Sequence, residues 1–207
     1  MKHIVVVLSL LTGLSAFCQK NAPDEDVHAS LLPGKKKSLV AYAGKDHSFT
    51  MEVAARTAKL SDVPGFINIS GQIIQSTLVP VDPSISLGNL TTAREKDLLI
   101  KYMNYELGYY KKRLKQNYAN LQTEWVTLQG RLFLVWYFDM PKNYKLVSRQ
   151  LYFSTLFFDQ VMDLNAPLFK MNDFDKARMT LSRMAETLKT YNKQLDLVKL
   201  GKQLNKS

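Results

Sequence analysis

The segment Arg131-Leu-Phe-Leu-Val-Trp-Tyr-Phe-Asp139 decides the fold of this chain. Its apolar residues follow one another from 132 to 138, without the alternation that marks a strand with one face in water. A strand that is apolar on both faces must be covered on both faces. Gln129-Gly130 has the composition of a hairpin turn, and residues 121–128 before it are also rich in β-forming types. We therefore expect a hairpin over 121–139 in a sheet that has helices on each side.

A long helix is predicted before this hairpin, over residues 92–117. Its apolar residues recur at steps of three and four, and Thr92 with Glu95 fits a capping box. The members of this stripe are Leu99, Met103, Leu107, Tyr110 and Leu114.

A second helix is predicted near the end of the chain. Its stripe runs without interruption through Phe174, Ala177, Leu181, Met184, Leu188, Tyr191, Leu195 and Val198. Asn172 or Asp173 can cap its start. Past Tyr191 the other faces become mostly Lys, Asn and Gln, so residues 191–207 are expected to form a basic helical extension that overhangs the domain.

Short β-rich runs separated by turns complete the pattern. They lie at 39–42, 47–53, 66–69, 73–79, 149–157 and 160–164. Strands that are joined by short turns pair antiparallel. The predicted fold class is α+β, a mostly antiparallel sheet flanked by helices on both faces, or an α/β/α sandwich.

In this order of elements the chain resembles the PsbP-like family over residues 38–190. The resemblance is carried by the helix at 92–117, the hairpin at 121–139, the segment from Arg149-Gln-Leu-Tyr-Phe-Ser154 through Val161-Met-Asp-Leu164, and the closing helix at 173–190. It implies the α/β/α sandwich of small exported proteins that bind or assemble and do not catalyse. No metal-binding or partner-binding motif of that family is matched, so the resemblance implies no site residues.

The first 18 residues have the composition of a secretory signal peptide. Lys2 precedes an apolar run from Ile4 to Leu14, and the small residues Ala16 and Cys18 fit the cleavage positions. The run is too short to span a bilayer as a helix, which needs about 20 apolar residues. We expect cleavage after Cys18 and a periplasmic or secreted protein.

An alternative is that Cys18 becomes the lipidated first residue of a bacterial lipoprotein. That processing needs a small residue just before the cysteine, where this chain has Phe17, so simple cleavage is favoured. Residues 19–37 have neither a helical nor a strand period and are expected to form a flexible leader. The single domain is expected over 38–190, and no later apolar run approaches membrane-spanning length.

The chain is basic, with 28 Lys and Arg against 18 Asp and Glu and a net charge of +10. Such a charge favours anionic partners, and export argues against nucleic acid. Lys111, Lys112, Arg113 and Lys115 crowd the end of the first long helix, where cations complement the helix dipole. They are the candidate contact for an envelope protein or an anionic surface. The alternative is that they form a solvated face that keeps the protein soluble.

Catalytic and metal-binding patterns are missing from the sequence. Cleavage after Cys18 removes the only cysteine and leaves His28 and His47, which are nineteen residues apart. No Gly-x-Ser-x-Gly and no Gly-rich phosphate loop occurs. We expect a non-enzymatic protein with no metal and no cofactor, and we interpret His47 as a residue of a surface turn.

Aromatic residues give the second candidate site. Tyr105 and Tyr109 lie off the apolar stripe of the first helix, and with Trp125 they are candidates to line a groove for an apolar or sugar ligand. Two functions therefore stay open: a binding or assembly module of the bacterial cell envelope, and a carrier of a small amphipathic ligand in an aromatic-lined pocket. The sequence leaves the oligomeric state open.

Overall fold

The computed structural model describes residues 29–53, 58–61, 65–81, 90–115 and 117–206. The predicted signal peptide, the cleavage after Cys18 and residues 19–28 of the predicted leader lie outside these ranges.

The described elements alternate short strands with a few helices. The strands are β1 (Ser30–Leu32), β2 (Ser38–Ala43), β3 (Ser48–Val53), β4 (Ala58–Leu60), β5 (Phe66–Ile69), β6 (Gln72–Pro80), β7 (Ala119–Leu128), β8 (Arg131–Asp139), β9 (Val147–Phe157), β10 (Gln160–Phe169) and β11 (Lys189–Tyr191). The helices are α1 (Thr92–Leu114), α2 (Phe174–Glu186) and α3 (Leu197–Leu204).

The strands form two antiparallel sheets. The larger has seven strands in the order β4-β5-β6-β10-β9-β8-β7, and the smaller has four in the order β1-β2-β3-β11. The predicted α+β class with mostly antiparallel pairing is confirmed. β8 is next to the edge strand β7, so the doubly apolar strand does not lie at the centre of the sheet.

Alternate residues of β8 enter two different apolar clusters, as its lack of alternation predicts. Phe133 and Val135 join the cluster that contains Phe49 of β3 and Leu181 and Met184 of α2. Each of these five side chains is at most 1% exposed. Burial of a large apolar side chain contributes about 1.5–3 kcal/mol, so this cluster is a main source of stability.

The neighbouring residues of β8 enter the second cluster. Leu134, Trp136 and Phe138, all fully buried, pack with Leu99 and Leu107 of α1. Because successive side chains of a strand point to opposite faces, β8 is buried on both of its faces.

The predicted hairpin turn is confirmed. Gln129 has φ of 50° and Gly130 has φ of 77°. Positive φ at both central residues of a two-residue loop is the geometry whose twist matches that of the flanking strands. Gly130 adopts it without strain, whereas a residue with a Cβ such as Gln129 does so at a cost of about 1–2 kcal/mol.

The first long helix is shorter than predicted and is capped one residue earlier. Thr91 is the N-cap, and its Oγ1 accepts a hydrogen bond of 3.4 Å from the N–H of Arg94. The capping box predicted at Thr92 and Glu95 is therefore not the cap. At the other end Lys115 has φ of 53°, a left-handed conformation that ends the helix before the predicted limit at residue 117.

The second long helix was predicted to continue to Val198, and this is wrong. Asp173 caps its start as expected, accepting a 2.9 Å hydrogen bond from the N–H of Asp175. The helix ends at Glu186, and β11 then pairs antiparallel with β3. The ladder hydrogen bonds to β3 replace the helical ones, although the apolar period continues past residue 186.

The ends of the described chain meet on the small sheet. β1 pairs with β2, so residues 30–32 of the predicted flexible leader are a strand. α3 packs near β2, and Asn205 donates a 3.3 Å hydrogen bond to the carbonyl of Pro33. A Cβ at Gly34 would lie 3.2 Å from the Cβ of Leu204. The extension predicted at 191–207 thus begins at the last residue of β11, contains α3 and packs on the domain, contrary to the expected overhang.

Candidate functional site

The second half of α1 presents a basic face. Lys111, Lys112, Arg113 and Lys115 are all exposed, in the turn where cations complement the helix dipole. We define the basic face of α1 as these four residues with Lys101, Asn104, Tyr105 and Gly108, which are also exposed. Glu106 is the only carboxylate of α1 after Asp97, and it is fully buried, whereas Asp97 pairs with Lys101 at 2.8 Å.

A loop from a distant part of the sequence lies beside the end of this face. The charge of Arg113 acts on Tyr144, opposing the rise in the Tyr144 pKa that burial causes. The same loop carries Lys142 and Lys145, both exposed. Sequence reasoning missed these two lysines because only the β8–β9 connection brings them near α1.

The three predicted groove aromatics lie at different places along α1. Tyr105 is 41% exposed, and Tyr109 is half-buried with its ring edge-on to Tyr110 at 6.2 Å. The Nζ of Lys96 lies 5.1 Å from the ring centroid of half-buried Trp125. Lys96 precedes Tyr105 by nine residues, about 13 Å along a helix. Trp125 thus faces the first half of α1, whereas Tyr105 and Tyr109 lie on the second half. Binding of one ligand by all three aromatic residues stays a prediction.

Two surface depressions occur elsewhere on the described protein. One, of about 330 Å³, lies along α2 between Asp175 and Glu186. The other, of about 340 Å³, surrounds the β7–β8 turn with Glu95 and Arg131 on its walls. Burial raises the pKa of Glu95 and lowers that of Arg131, and each charge opposes the shift of the other. Neither depression is lined by a predicted groove aromatic or by a residue of the basic face of α1.

A set of polar side chains lies buried beneath α1. We call Glu106, Tyr110, Tyr152, Ser154, Asp163 and Asn165 the buried polar cluster; none is more than 3% exposed. The strand register explains their meeting: Ser154 stands opposite Asp163, and Tyr152 opposite Asn165. Glu106 and Tyr110 are four residues apart, on one side of α1.

Hydrogen bonds connect part of this cluster. The indole N–H of Trp136 donates to the Ser154 hydroxyl at 2.9 Å, and that hydroxyl donates to Asp163 Oδ1. The Tyr152 hydroxyl donates to that of Tyr110 at 2.7 Å. Trp136, Ser154 and Asp163 thus form one continuous chain of donors and acceptors that ends on a carboxyl group.

Other oxygens of the cluster have no partner. Neither carboxyl oxygen of Glu106 accepts a hydrogen bond, nor do Asp163 Oδ2 and Asn165 Oδ1. Burial, followed by the charge of Asp163, raises the Glu106 pKa to about 8. Burial also raises the Asp163 pKa to about 7, although hydrogen bonds from Ser154 and Asn165 oppose it. Glu106 is therefore mostly protonated at neutral pH.

The cluster can hold and exchange protons, but its burial keeps it from a dissolved substrate. Across the described ranges no three His, Cys, Asp or Glu residues are grouped so that they could hold a metal ion. His47 follows β2, and its ring stacks on Phe158 at 3.8 Å.

The sequence contains one indication of the buried polar cluster. Glu106 lies three residues after Met103, on the apolar side of the helix, where an apolar residue is expected.

None of the helices in the described part of the chain has the length and the apolar composition needed to cross a membrane. The chain is an α+β protein with two antiparallel sheets, and its two notable features are the basic face of α1 and the buried polar cluster. No protein-family model and no curated protein matches this chain.

One solved structure to which the chain is similar is the solution structure of cyanobacterial PsbP (CyanoP) from Synechocystis sp. PCC 6803. The two share 9% sequence identity with a TM-score of 0.46, and the match covers 84% of this chain and 99% of that one.

Proposed function

We propose that this protein is an exported, non-enzymatic binding or assembly module of the bacterial cell envelope. The proposal includes the signal peptide at 1–18, a periplasmic or secreted location, and a PsbP-like α/β/α sandwich. It assigns no role to nucleic acid and no catalytic residue. The observation that carries it is the basic face of α1, which concentrates exposed cations on one surface.

Electrostatics explains why such a face favours a partner. Like charges held together raise the energy of the free surface, and an anionic partner relieves this repulsion and is steered toward it. Lys142 and Lys145 lie in the loop that approaches Arg113 and enlarge the positive area. Tyr105, exposed among these cations, adds a side chain that is frequent in protein interfaces. An acidic surface of an envelope protein fits these features.

The test compares two triple charge reversals. In the first, Lys111, Lys112 and Lys115 are changed to Glu; in the control, Lys199, Lys202 and Lys206 of the α3 region are changed to Glu. All six are exposed. Crosslinking in the native envelope should give a partner adduct with the wild type and the control but not with the α1 variant. The adduct should weaken as salt shortens the screening length below about 8 Å. Equal capture by both variants refutes the assignment.

The second candidate function is a carrier of a small amphipathic ligand, bound by Tyr105, Tyr109 and Trp125. It is favoured by the exposure of Tyr105 and by the half-buried rings of the other two. Native mass spectrometry of protein from its own host should then show a bound mass that disappears on denaturation. This binding should tolerate salt, because apolar burial is not screened, and Trp125→Ala should abolish it in a protein that stays folded.

A further inference from the structure

We propose that the side chain of Glu106 is a proton-operated lock, which holds α1 on the seven-stranded sheet in acid and loosens it as the pH rises to mildly alkaline. The proposal concerns the inner side of α1 and does not depend on what the basic face binds.

The position of Glu106 makes the packing of α1 depend on its protonation. Its neighbour Leu107 and, one turn earlier, Met103 belong to the apolar cluster between α1 and the sheet. Glu106 is 0% exposed, and neither of its oxygens accepts a hydrogen bond. The free-energy cost of burying a neutral carboxyl group here is close to that of any unpaired polar group. The cost of burying an isolated carboxylate is far higher.

The groups that face Glu106 cannot neutralise its charge. From α1 itself they are Tyr102 and Tyr110, from β9 Tyr152, and from β10 Asp163. Burial raises the pKa of each tyrosine, so all three stay neutral in mildly alkaline solution. Asp163 repels a carboxylate at Glu106. No Lys, Arg or His is among the buried residues of the described chain.

The direction of the pH effect follows from proton linkage. In the closed state the Glu106 pKa is about 8, against an ordinary value of 4.5. When α1 leaves the sheet, Glu106 meets water and its pKa returns toward that ordinary value. Between these limits opening releases one proton from Glu106, which raises the opening constant about tenfold per pH unit. Below pH 7 Asp163, which lies beneath the same helix with a pKa of about 7, adds to this rise. Below pH 4.5 and above pH 8 the effect of Glu106 levels off, because both states then carry the same charge.

The effect should be confined to α1. Helix α2 buries only Ala177, Leu181, Met184 and Ala185, which do not titrate. It also packs in the other apolar cluster. Each proton released beneath α1 thus weakens the contact of one helix with one face of the sheet, while α2 stays in place. If the proposed function is correct, the lock controls the helix that presents the basic face.

Hydrogen exchange of the whole protein tests the proposal. Peptides from 92–114 and from 174–186 are followed by mass spectrometry from pH 5 to 9, with rates corrected for the intrinsic effect of pH on exchange. In the wild type the α1 opening constant should rise by at least about two orders of magnitude from pH 5.5 to 7.5 and level off near 8, while α2 changes little. In Glu106→Gln the rise should be smaller and should end by about pH 7, where Asp163 is already ionised in the closed state. The control Asp97→Asn, exposed on the same helix, should behave as the wild type.

An α1 constant that in Glu106→Gln still rises as steeply as in the wild type up to pH 8 overturns the proposal, as does a parallel rise in α1 and α2. If Glu106→Gln does not fold, Glu106→Met removes the acid with a side chain of similar length. The wild type gives an independent measurement, because the ¹³C shift of the Glu106 carboxyl group reports its titration directly. A midpoint near 8 supports the lock, and a midpoint below 6 refutes it.

Discussion

The hydroxyl of Tyr152 in β9 donates a 2.7 Å hydrogen bond to the hydroxyl of Tyr110 in α1, and both side chains are buried. The bond joins residues 42 positions apart. The Tyr152 ring also stacks on Trp136, with 3.8 Å between the centroids. A hydrogen bond within the buried polar cluster thus joins α1 to the sheet.

The first prediction concerns this pair. Tyr110→Phe leaves the Tyr152 hydroxyl buried without an acceptor and should lower the free energy of unfolding by about 1–3 kcal/mol in urea titrations. The double change of Tyr110 and Tyr152 to Phe removes both polar atoms and should cost less than the sum of the single changes. Tyr118→Phe, at a half-buried position, is the control and should change stability by no more than about 0.5 kcal/mol. If the double change costs as much as the two single changes together, the two hydroxyl groups do not stabilise each other.

The second prediction concerns Arg149, whose guanidinium makes three contacts. Its Nε donates to Asp139 Oδ1 at 2.7 Å, and its central carbon lies 5.3 and 4.9 Å from the ring centroids of Tyr137 and Phe174. Lys keeps the charge but loses the planar stacking, so Arg149→Lys should lower stability by about 0.5–1 kcal/mol at neutral pH. Arg178→Lys is the control, since Arg178 pairs with Glu124, which is half exposed, and a smaller loss is expected.

The Arg149 effect should depend on pH in a defined direction. Burial raises the Asp139 pKa, but hydrogen bonds from Arg149 and Asn120 and the Arg149 charge outweigh it and hold the pKa below its usual value. The stability from this pairing is present above that usual value, near 4, and is lost as the pH falls through the lowered one. The difference in thermal stability between the wild type and Arg149→Lys should therefore narrow as the pH falls below that usual value, leaving the part that comes from the ring contacts. A constant difference would assign the loss to the ring contacts alone.

The third prediction concerns Ser48, which holds the chain after β11. Its buried hydroxyl donates to the Lys193 carbonyl at 2.6 Å and accepts from the N–H of Leu195 at 3.2 Å. Ser48→Ala leaves both backbone groups without this partner and should cost about 1–3 kcal/mol in chemical denaturation. Ser182→Ala removes only a 3.3 Å bond to Glu186 on the surface and should be nearly neutral. Equal, negligible effects would mean that this segment adds nothing to stability.

The features that the sequence predicts well are encoded locally. The bounds of β8 agree with the predicted Arg131–Asp139, because continuous apolar residues and a two-residue turn need no distant partner. Asp173 was similarly recognisable as a cap from its position before an apolar stripe.

The features that the sequence mispredicts depend on distant pairing. The period through Leu188 and Tyr191 indicates helix, yet β11 binds the edge of β3 more than 130 residues away in sequence. β1 has three residues, which is too few for an alternation of apolar and polar side chains to be recognised. The buried polar cluster depends on the register of β9 and β10 beneath α1, so only Glu106, out of place on an apolar side, hinted at it.

The last prediction separates the two tryptophans and tests whether Trp125 is accessible to a ligand. Trp136 is fully buried and donates to Ser154, whereas Trp125 is half-buried and lies under the Lys96 ammonium group. Iodide is an anion, so the nearby cation should draw it to Trp125 while the interior excludes it from Trp136. Stern–Volmer titration should therefore show a quenchable fraction that disappears in Trp125→Phe. It should persist in Trp136→Phe, the matched control, provided that variant keeps its circular dichroism spectrum. If Trp125→Phe leaves iodide quenching unchanged, the Trp125 ring is closed to solutes, and the carrier function loses its only tryptophan contact.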